Sequence, residues 1–94
     1  MTEPSNVVRL PAITLAGRLR RVVHESVGVP ESMITDTASL DDEIGVDSLT
    51  LVSLQVNIET EFRISLSVAD LLAADRFDRI LELIEDRVAD RRAA

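Results

Sequence analysis

The chain has 94 residues, which is enough for one hydrophobic core and too few for a second lobe around a large substrate cleft. It contains no Cys and a single His, His24, which excludes disulfides, a catalytic thiolate and zinc–sulfur sites and leaves no His cluster for a metal. Its formal net charge of −7 repels nucleic acid and anionic membranes.

The negative charge is concentrated in the middle third of the chain. Residues 31–61 hold eight acids and no Arg, whereas residues 1–30 hold four Arg against two Glu, and residues 62–94 hold six Arg against seven acids. A negative surface of this kind attracts basic protein surfaces. We therefore expect protein partners with basic surfaces, and neither nucleic acid nor a membrane as a partner.

The sequence shows no sign of a membrane segment or a signal peptide. No apolar run approaches the roughly 20 residues that cross a bilayer. The first six residues are polar and lack the basic-then-apolar order of a signal peptide. We therefore expect a cytoplasmic protein, and we expect it to be a monomer.

The first helix is predicted from the spacing of its apolar residues. Residues 1–10 are predicted to form a flexible N-terminal arm, and Pro11 suits the first turn of a helix over about residues 12–27. Gly28 and Pro30 should end this helix. Its apolar positions follow helical spacing: Ile13, Leu15, Leu19, Val22, Val23 and Val27.

A long connection follows over residues 28–47. It is rich in Thr, Ser and Asp, and a loop of this length in a small domain is often functional. A short helical turn is predicted at about residues 31–34. The apolar residues within the connection should pin it to the bundle: Val29, Met33, Ile34, Leu40 and Ile44.

The second helix is predicted over residues 48–62, with Ser48 as its N-cap. At about 100° per residue, its apolar residues form two stripes roughly 150° apart. One stripe should face the core, and the other either packs on a second helix, lines an internal cavity or forms an exposed contact patch. The first stripe contains Leu51, Leu54, Ile58 and Phe62, and the second contains Leu49, Val52 and Val56.

Two capping signals precede the last two helices. Ser67 and Asp70 resemble a capping box that opens a short helix over about residues 67–73, and Asp75 with Asp78 gives a similar signal. The final helix has the most regular amphipathic pattern, formed by Phe77, Ile80, Leu81, Ile84 and Val88. The predicted fold class is therefore all-α, a four-helix bundle with three main helices, one short third helix and a long loop between helices 1 and 2. We expect this domain to span residues 11–90, followed by a flexible tail over residues 91–94.

The segment Gly45-Val46-Asp47-Ser48-Leu49 resembles the acyl carrier protein family, whose hallmark is Asp-Ser-Leu at the start of the second helix. The acidic approach over residues 38–44 and the helix ending over residues 58–62 resemble the same family. A lone Asp-Ser-Leu says little, but the motif at the start of an apolar helix in a small acidic chain is specific. The chain is thus identified as a discrete, single-domain member of this family, with helices matched from about residue 12 to residue 90.

The resemblance implies a phosphopantetheine arm on Ser48 and no catalysis by the chain itself. A phosphopantetheinyl transferase would attach 4'-phosphopantetheine from coenzyme A to Ser48, and the thiol of the arm would hold acyl groups as thioesters. A Ser at a helix N-terminus is accessible, and the positive end of the helix dipole favours the phosphodiester. We predict no catalytic and no metal-binding residue in the chain.

The resemblance also implies a surface that partner enzymes recognise. Asp47 would help engage the transferase, and the stripe of Leu49, Val52 and Val56 matches an exposed apolar patch that docks on partners. Acids nearby would steer basic partners toward this patch: Asp41, Asp42, Glu43 and Glu59. Besides the transferase, the expected partners are an acyltransferase, a ketosynthase or acyl-activating enzymes with basic surfaces.

Two positions depart from many carriers of primary fatty acid synthesis, which have acids two and five residues after the modified Ser. Here these positions are Thr50 and Ser53, which favours a specialised, polyketide-type pathway over fatty acid synthesis. A peptidyl or aminoacyl carrier is a further alternative. It is less favoured because Val46 stands where such carriers usually have a second Gly.

Two other classes of function remain open from the residues. An unmodified acidic helical adaptor would bind a basic partner through residues 31–61 without any need for Ser48. An enzyme would need carboxylates that converge on one reacting atom. Asp41 and Asp42 are neighbours in a loop, however, and residues two apart on a helix, such as Glu59 and Glu61, do not face each other.

Overall fold

The protein is a bundle of four α-helices, as predicted. The computed structural model describes residues 14–93, and their side chains as far as Arg91. The helices are α1 (Leu15–Val27), α2 (Ser48–Phe62), the short α3 (Val68–Ala74) and α4 (Phe77–Ala93), with a long connection between α1 and α2. The predicted arm over residues 1–10 and the first predicted positions of helix 1, residues 12 and 13, lie outside the described residues.

The ends of α1 follow from its local sequence. The hydroxyl oxygen of Thr14 accepts a hydrogen bond from the Gly17 backbone N–H at 3.0 Å and thereby caps the first turn. Gly28 ends the helix in the left-handed region, with φ of 86°, where glycine lacks the steric penalty of other residues. Immediately beyond it, His24 Nδ1 lies 2.6 Å from the Val29 carbonyl oxygen and holds the start of the connection against α1.

The core is built from aliphatic side chains and the two Phe rings. One stripe of α2 is buried in the core, where α2 packs on α1 and on α3. Burial of both stripes, which the sequence left open, is wrong. Each fully buried Leu, Ile or Val contributes about 1.5–3 kcal/mol relative to an exposed one. The buried apolar residues are Leu19, Val22, Val23, Ile34, Ala38, Leu40, Ile44, Leu51, Leu54, Ile58, Phe62, Leu66, Leu71, Phe77, Ile80 and Ile84.

The connection between α1 and α2 is ordered by two short helical turns. A 3₁₀ turn covers Glu31–Met33, which confirms the predicted turn, and a π turn covers Leu40–Ile44, which the sequence analysis did not predict. Ile34, Leu40 and Ile44 are buried and pin the connection, as expected. Met33 does not contribute, because its side chain is exposed to solvent.

The corner between α3 and α4 anchors this connection. The Asp75 carboxylate accepts hydrogen bonds from the Ser39 hydroxyl at 2.6 Å and from the Asp41 N–H at 3.2 Å. The Leu40 N–H donates to the Asp75 carbonyl at 2.9 Å, and the Phe77 N–H donates to the Ala38 carbonyl at 2.9 Å. The loop thus joins the bundle through polar contacts as well as apolar ones.

The capping box at α3 is confirmed, and the second capping signal is wrong. Ser67 and Asp70 exchange side-chain to backbone hydrogen bonds, both at 3.0 Å. Asp75, in contrast, does not cap α4, because its carboxylate is taken by the long connection. The Asp78 N–H donates instead to the Asp36 carbonyl at 2.8 Å, so a tertiary contact replaces the local cap.

The last turns of α4 extend further than the sequence analysis predicted. The helix continues to Ala93, so residues 91–93 belong to it rather than to a C-terminal tail, and Ala94 lies outside the described residues. The Arg91 guanidinium donates to the carbonyls of Phe62 and Arg63, at 2.9 and 3.1 Å. These bonds satisfy carbonyl groups at the end of α2 that the helix itself leaves without donors, and they join the last turns of α4 to the end of α2.

Glu59 fastens the connection between α2 and α3. Its carboxylate accepts a hydrogen bond from the buried Leu66 backbone N–H at 2.9 Å and a second one from the Gln55 amide. The Gln55 amide also donates to the Leu66 carbonyl at 2.8 Å.

The part of the chain described here contains no helix that is long and apolar enough to cross a membrane.

Replacement of Leu by Ala at a buried and at an exposed position of α2 should separate the contribution of burial to stability from that of helix propensity. Leu54 is fully buried, whereas Leu49 on the same helix is 78 % exposed. We expect Leu54→Ala to lower the free energy of unfolding by about 2–5 kcal/mol, and Leu49→Ala to change it by no more than about 0.5 kcal/mol. Urea denaturation followed by circular dichroism measures both, and equal losses would contradict the assignment of the two stripes.

Loss of the Glu59 carboxylate should also destabilise the fold. Glu59→Ala leaves the Leu66 N–H without its acceptor in a part-buried place, and we expect it to cost about 1–3 kcal/mol. Glu61→Ala is the matched control, because Glu61 forms a surface ion pair with Arg18, worth about 0–1 kcal/mol. Urea denaturation of both variants provides the measurement, and a larger loss for Glu61→Ala would refute the role given to Glu59.

Candidate functional site

Ser48 is the first residue of α2, and its side chain is exposed. The predicted start of the helix is therefore confirmed, but Ser48 as the N-cap is wrong. The N-cap is Asp47, whose carboxylate accepts a hydrogen bond from the Thr50 backbone N–H at 2.8 Å. Because Asp47 supplies the cap, the Ser48 hydroxyl is not needed for it and is available to react.

A tight turn delivers the chain to this helix start. Gly45 ends the π turn in the left-handed region, with φ of 74°, which favours glycine over any residue with a Cβ. The next N–H, that of Val46, donates to the Leu40 carbonyl at 2.9 Å and closes the turn. The segment Gly45-Val46-Asp47 thus joins the end of the π turn to the start of α2, where Ser48 lies at the surface.

The surroundings of Ser48 suit a phosphate ester. The backbone N–H of Ser48 makes no hydrogen bond to any residue between 14 and 93, as is usual for the first N–H groups of a helix. The positive end of the helix dipole lies at the same place and stabilises an anion by typically ~0.3–1 kcal/mol. An exposed hydroxyl, an unpaired N–H and a favourable dipole therefore fit the phosphate of a phosphopantetheine group.

The carboxylate of Asp47 is held in its ionised form. The hydrogen bond from the Thr50 N–H lowers the pKa of Asp47 below its ordinary value of 3.8, and desolvation acts in the opposite direction without reversing this shift. A carboxylate with a lowered pKa is a weaker base. Asp47 is thus better suited to cap the helix and to present a negative charge than to remove a proton from Ser48.

The second apolar stripe of α2 is exposed next to Ser48. Leu49 is 78 % exposed, and Val52 and Val56 are 47 % and 49 % exposed. Of the arrangements that the periodicity left open for this stripe, the structure shows the exposed patch. Exposed apolar residues that lie one turn apart on one helix are typical of a contact surface.

The acids predicted for partner recognition fall into two groups. Asp41, Asp42 and Glu43 are exposed in the π turn, a few residues before the capping Asp47. Glu59 lies near the other end of α2, half-buried, with both carboxylate oxygens bound to groups of the chain itself. The structure therefore groups the loop acids with Asp47 and separates Glu59 from them.

A cleft of about 410 Å³ lies beside the first turns of α2 and contains residues that the sequence analysis missed. Its apolar walls and two acids are Leu40, Val46, Leu51, Leu71, Leu72, Asp41 and Asp75. The sequence contains one signal for Leu72. Leu71 and Leu72 are adjacent in a short helix and cannot both face the core, so one of them must lie at the surface. No local signal identifies Asp75, whose carboxylate reaches Ser39, 36 residues away in the chain.

The cap at Asp47 should make stability depend on pH. Because the folded state lowers the pKa of Asp47, its contribution is present above 3.8 and is lost as the pH falls through the lowered value. We expect Asp47→Ala to reduce the urea midpoint at neutral pH, and the gap to the unchanged protein to shrink below pH 3.8. Asp41→Ala, which removes an exposed acid but no cap, is the control and should show no such trend.

Comparison with known proteins agrees with this site. Residues 17–84 match the family model described as "Phosphopantetheine attachment site", and this range includes Ser48. The acyl carrier protein of Thermotoga maritima is 35% identical over 71 residues, which cover 76% of this chain and 88% of that protein. The acyl carrier protein of Saccharopolyspora erythraea is 33% identical over 72 residues, 77% of this chain and 76% of that protein. With these matches, which describe an attachment site for 4'-phosphopantetheine, and an all-helical fold, the chain belongs to the acyl carrier protein family.

Proposed function

We propose that this protein carries acyl groups on a phosphopantetheine arm attached to Ser48 and delivers them to partner enzymes. The observation that carries this proposal is the exposed hydroxyl of Ser48 at the start of α2, within the segment that matches the family model. When bound, the arm supplies a thiol that holds acyl groups as thioesters. The chain has no Cys of its own for this purpose.

Attachment would require one new bond to the chain. The Ser48 Oγ would form a phosphoester bond to the phosphopantetheine phosphate while the pyrophosphate bond of coenzyme A breaks. The other half of coenzyme A would leave as 3',5'-adenosine diphosphate, and the hydroxyl proton would go to a base. Asp47 is the adjacent acid, and its lowered pKa makes it a poor base. We therefore assign the base to the phosphopantetheinyl transferase, and we assign to Asp47 the positioning of Ser48 and an attraction for the transferase.

The protein would act as a covalent shuttle rather than as a catalyst. Both relatives described above bear the name of acyl carrier protein. The carboxylates that an enzyme would need are dispersed, because Asp41 and Asp42 point to solvent in the π turn while Glu59 is bound within the fold. Partners would include the transferase and enzymes that load or use the acyl group.

Within this function we favour a specialised, polyketide-type pathway, with fatty acid synthesis or an aminoacyl carrier as alternatives. Support comes from the uncharged residues at positions 50 and 53 of α2, Thr50 and Ser53. Intact-protein mass spectrometry after expression in the native host would identify the acyl group on the arm. A saturated straight chain would favour fatty acid synthesis, an amino acid would favour an aminoacyl carrier, and a chain that keeps several keto or hydroxyl groups along its length would favour the proposed pathway.

The carrier function predicts one modification at one residue. Incubation with coenzyme A and a broad-specificity phosphopantetheinyl transferase should add the mass of one phosphopantetheine, and Ser48→Ala should abolish the gain. Ser65→Ala is the matched control, because Ser65 is also exposed but lies in the connection between α2 and α3, outside the site. An unmodified adaptor would show no gain of mass in any of the three proteins, as measured by intact-protein mass spectrometry.

A further inference from the structure

The backbone of Asp75 is strained at the corner between α3 and α4. Its φ of 60° and ψ of −47° lie in a region that residues with a Cβ rarely adopt. Across Asp75, the Arg76 N–H donates to the Ala74 carbonyl at 2.6 Å and closes a γ-turn, which is a strained type of turn. A residue keeps such a conformation only where the surrounding structure holds it there.

The residues that hold Asp75 lie at the start of the π turn. Its two carboxylate oxygens accept hydrogen bonds from the Ser39 hydroxyl and the Asp41 N–H, and its backbone carbonyl accepts a third from the Leu40 N–H. Only the Asp75 N–H bonds elsewhere, to the Leu71 carbonyl at the end of α3. In its strained conformation, Asp75 therefore directs both its side chain and its carbonyl to three consecutive residues of the long connection.

The Leu40 peptide connects this corner to the segment that precedes Ser48. Its N–H donates to the Asp75 carbonyl, and its own carbonyl accepts a hydrogen bond from the Val46 N–H, both at 2.9 Å. Val46 is two residues before Ser48 in the chain. A shift of Leu40 would therefore reach the backbone next to the start of α2.

Asp47 continues the series of hydrogen bonds into α2. Its carboxylate accepts a bond from the Thr50 N–H and its carbonyl accepts one from the Leu51 N–H, both at 2.8 Å. These two bonds close the first turn of the helix, to which Ser48 belongs. Hydrogen bonds and short stretches of chain thus lead without a gap from Asp75 to that turn.

We propose that Asp75 is a positioning residue for the attachment of the arm. It holds the π turn, and through it the first turn of α2, so that the Ser48 Oγ stands at a defined place when the transferase binds. A displacement of a reacting atom by about 1 Å can cost about a hundredfold in rate. This inference rests on the proposed function and adds to it a residue that acts from the other side of the long connection.

Two substitutions at position 75 remove the same charge but keep different groups. Asp75→Asn keeps one acceptor oxygen, and Asn tolerates a positive φ. Asp75→Gly keeps no side-chain acceptor, although glycine adopts this φ without steric penalty. Because the start of α2 is held less firmly, we expect Asp75→Gly to lower kcat for modification by about five- to twentyfold and Asp75→Asn by about two- to threefold. KM for the carrier should change by less than about twofold, since both variants keep every residue proposed to contact the transferase.

Hydrogen exchange measured by NMR distinguishes positioning from a general loss of stability. In Asp75→Gly, the N–H groups of Val46 and Thr50 should exchange faster, with a larger acceleration than that of the Leu83 N–H in the middle of α4. Ile84→Val is the matched control, because it removes a buried methyl group from the core side of α4. It should keep kcat, and it should not accelerate exchange selectively at Val46 and Thr50.

The outcomes separate this inference from the function on which it rests. A kcat that falls further in Asp75→Gly than in Asp75→Asn, at nearly constant KM and with faster exchange at the start of α2, supports the inference. Equal kcat values for the two variants, an unchanged kcat, or an equal loss in Ile84→Val overturns it and leaves the carrier function intact. If circular dichroism shows that Asp75→Gly does not fold, Asp75→Asn decides, and an unchanged kcat in that variant overturns the inference. Failure of the unchanged protein to accept the arm overturns both.

Discussion

The architecture depends on the burial of one stripe of α2. Leu51, Leu54, Ile58 and Phe62 lie on that stripe and pack into the core shared with α1 and α4. Burial of this stripe turns residues about 150° away to the opposite side of α2, and no part of the chain between residues 14 and 91 buries Leu49, Val52 and Val56 there. The exposed patch beside Ser48 is therefore a consequence of the same packing that holds the bundle together, and it needs no separate stabilising interaction.

The long connection before α2 is the second constraint, because it decides where Ser48 stands. Its buried Ile34, Leu40 and Ile44 supply apolar contacts, and Asp75 supplies polar ones through Ser39 and Asp41. On the α1 side, the Arg20 guanidinium lies 4.6 Å from the centre of the Phe77 ring and donates to the Ile34 carbonyl. A connection held from several sides can present a reactive hydroxyl at a defined place while remaining at the surface.

Charge and apolar surface are separated along the chain around Ser48, and this separation suits a carrier. In the proposed function, the exposed acids of the π turn would attract a basic surface at long range and raise the rate of encounter. The apolar patch on α2 would supply contact energy at short range. A protein that visits several enzymes in turn needs this combination of fast association and ready release.

The helices and the candidate site could largely be predicted from the sequence, because the features that define them are local. The spacing of apolar residues defined α2, and the Asp-Ser-Leu motif located the site, because helix periodicity and helix starts depend on residues within about four positions. The capping box of Ser67 and Asp70 was found for the same reason. The choice of Ser48 rather than Asp47 as N-cap was wrong by one position, since both residue types can cap a helix.

The tertiary structure decided what local sequence leaves open. Which stripe of α2 is buried depends on the helices it meets, and periodicity alone presents both stripes equally. Glu59 serves the fold rather than a partner because the Leu66 N–H comes within 2.9 Å of it only after the chain has turned back from α2. Asp75 binds Ser39, 36 residues earlier, instead of capping α4, because the first N–H groups of α4 already donate to the carbonyls of Ala38 and Asp36, whereas the buried Ser39 hydroxyl needs an acceptor.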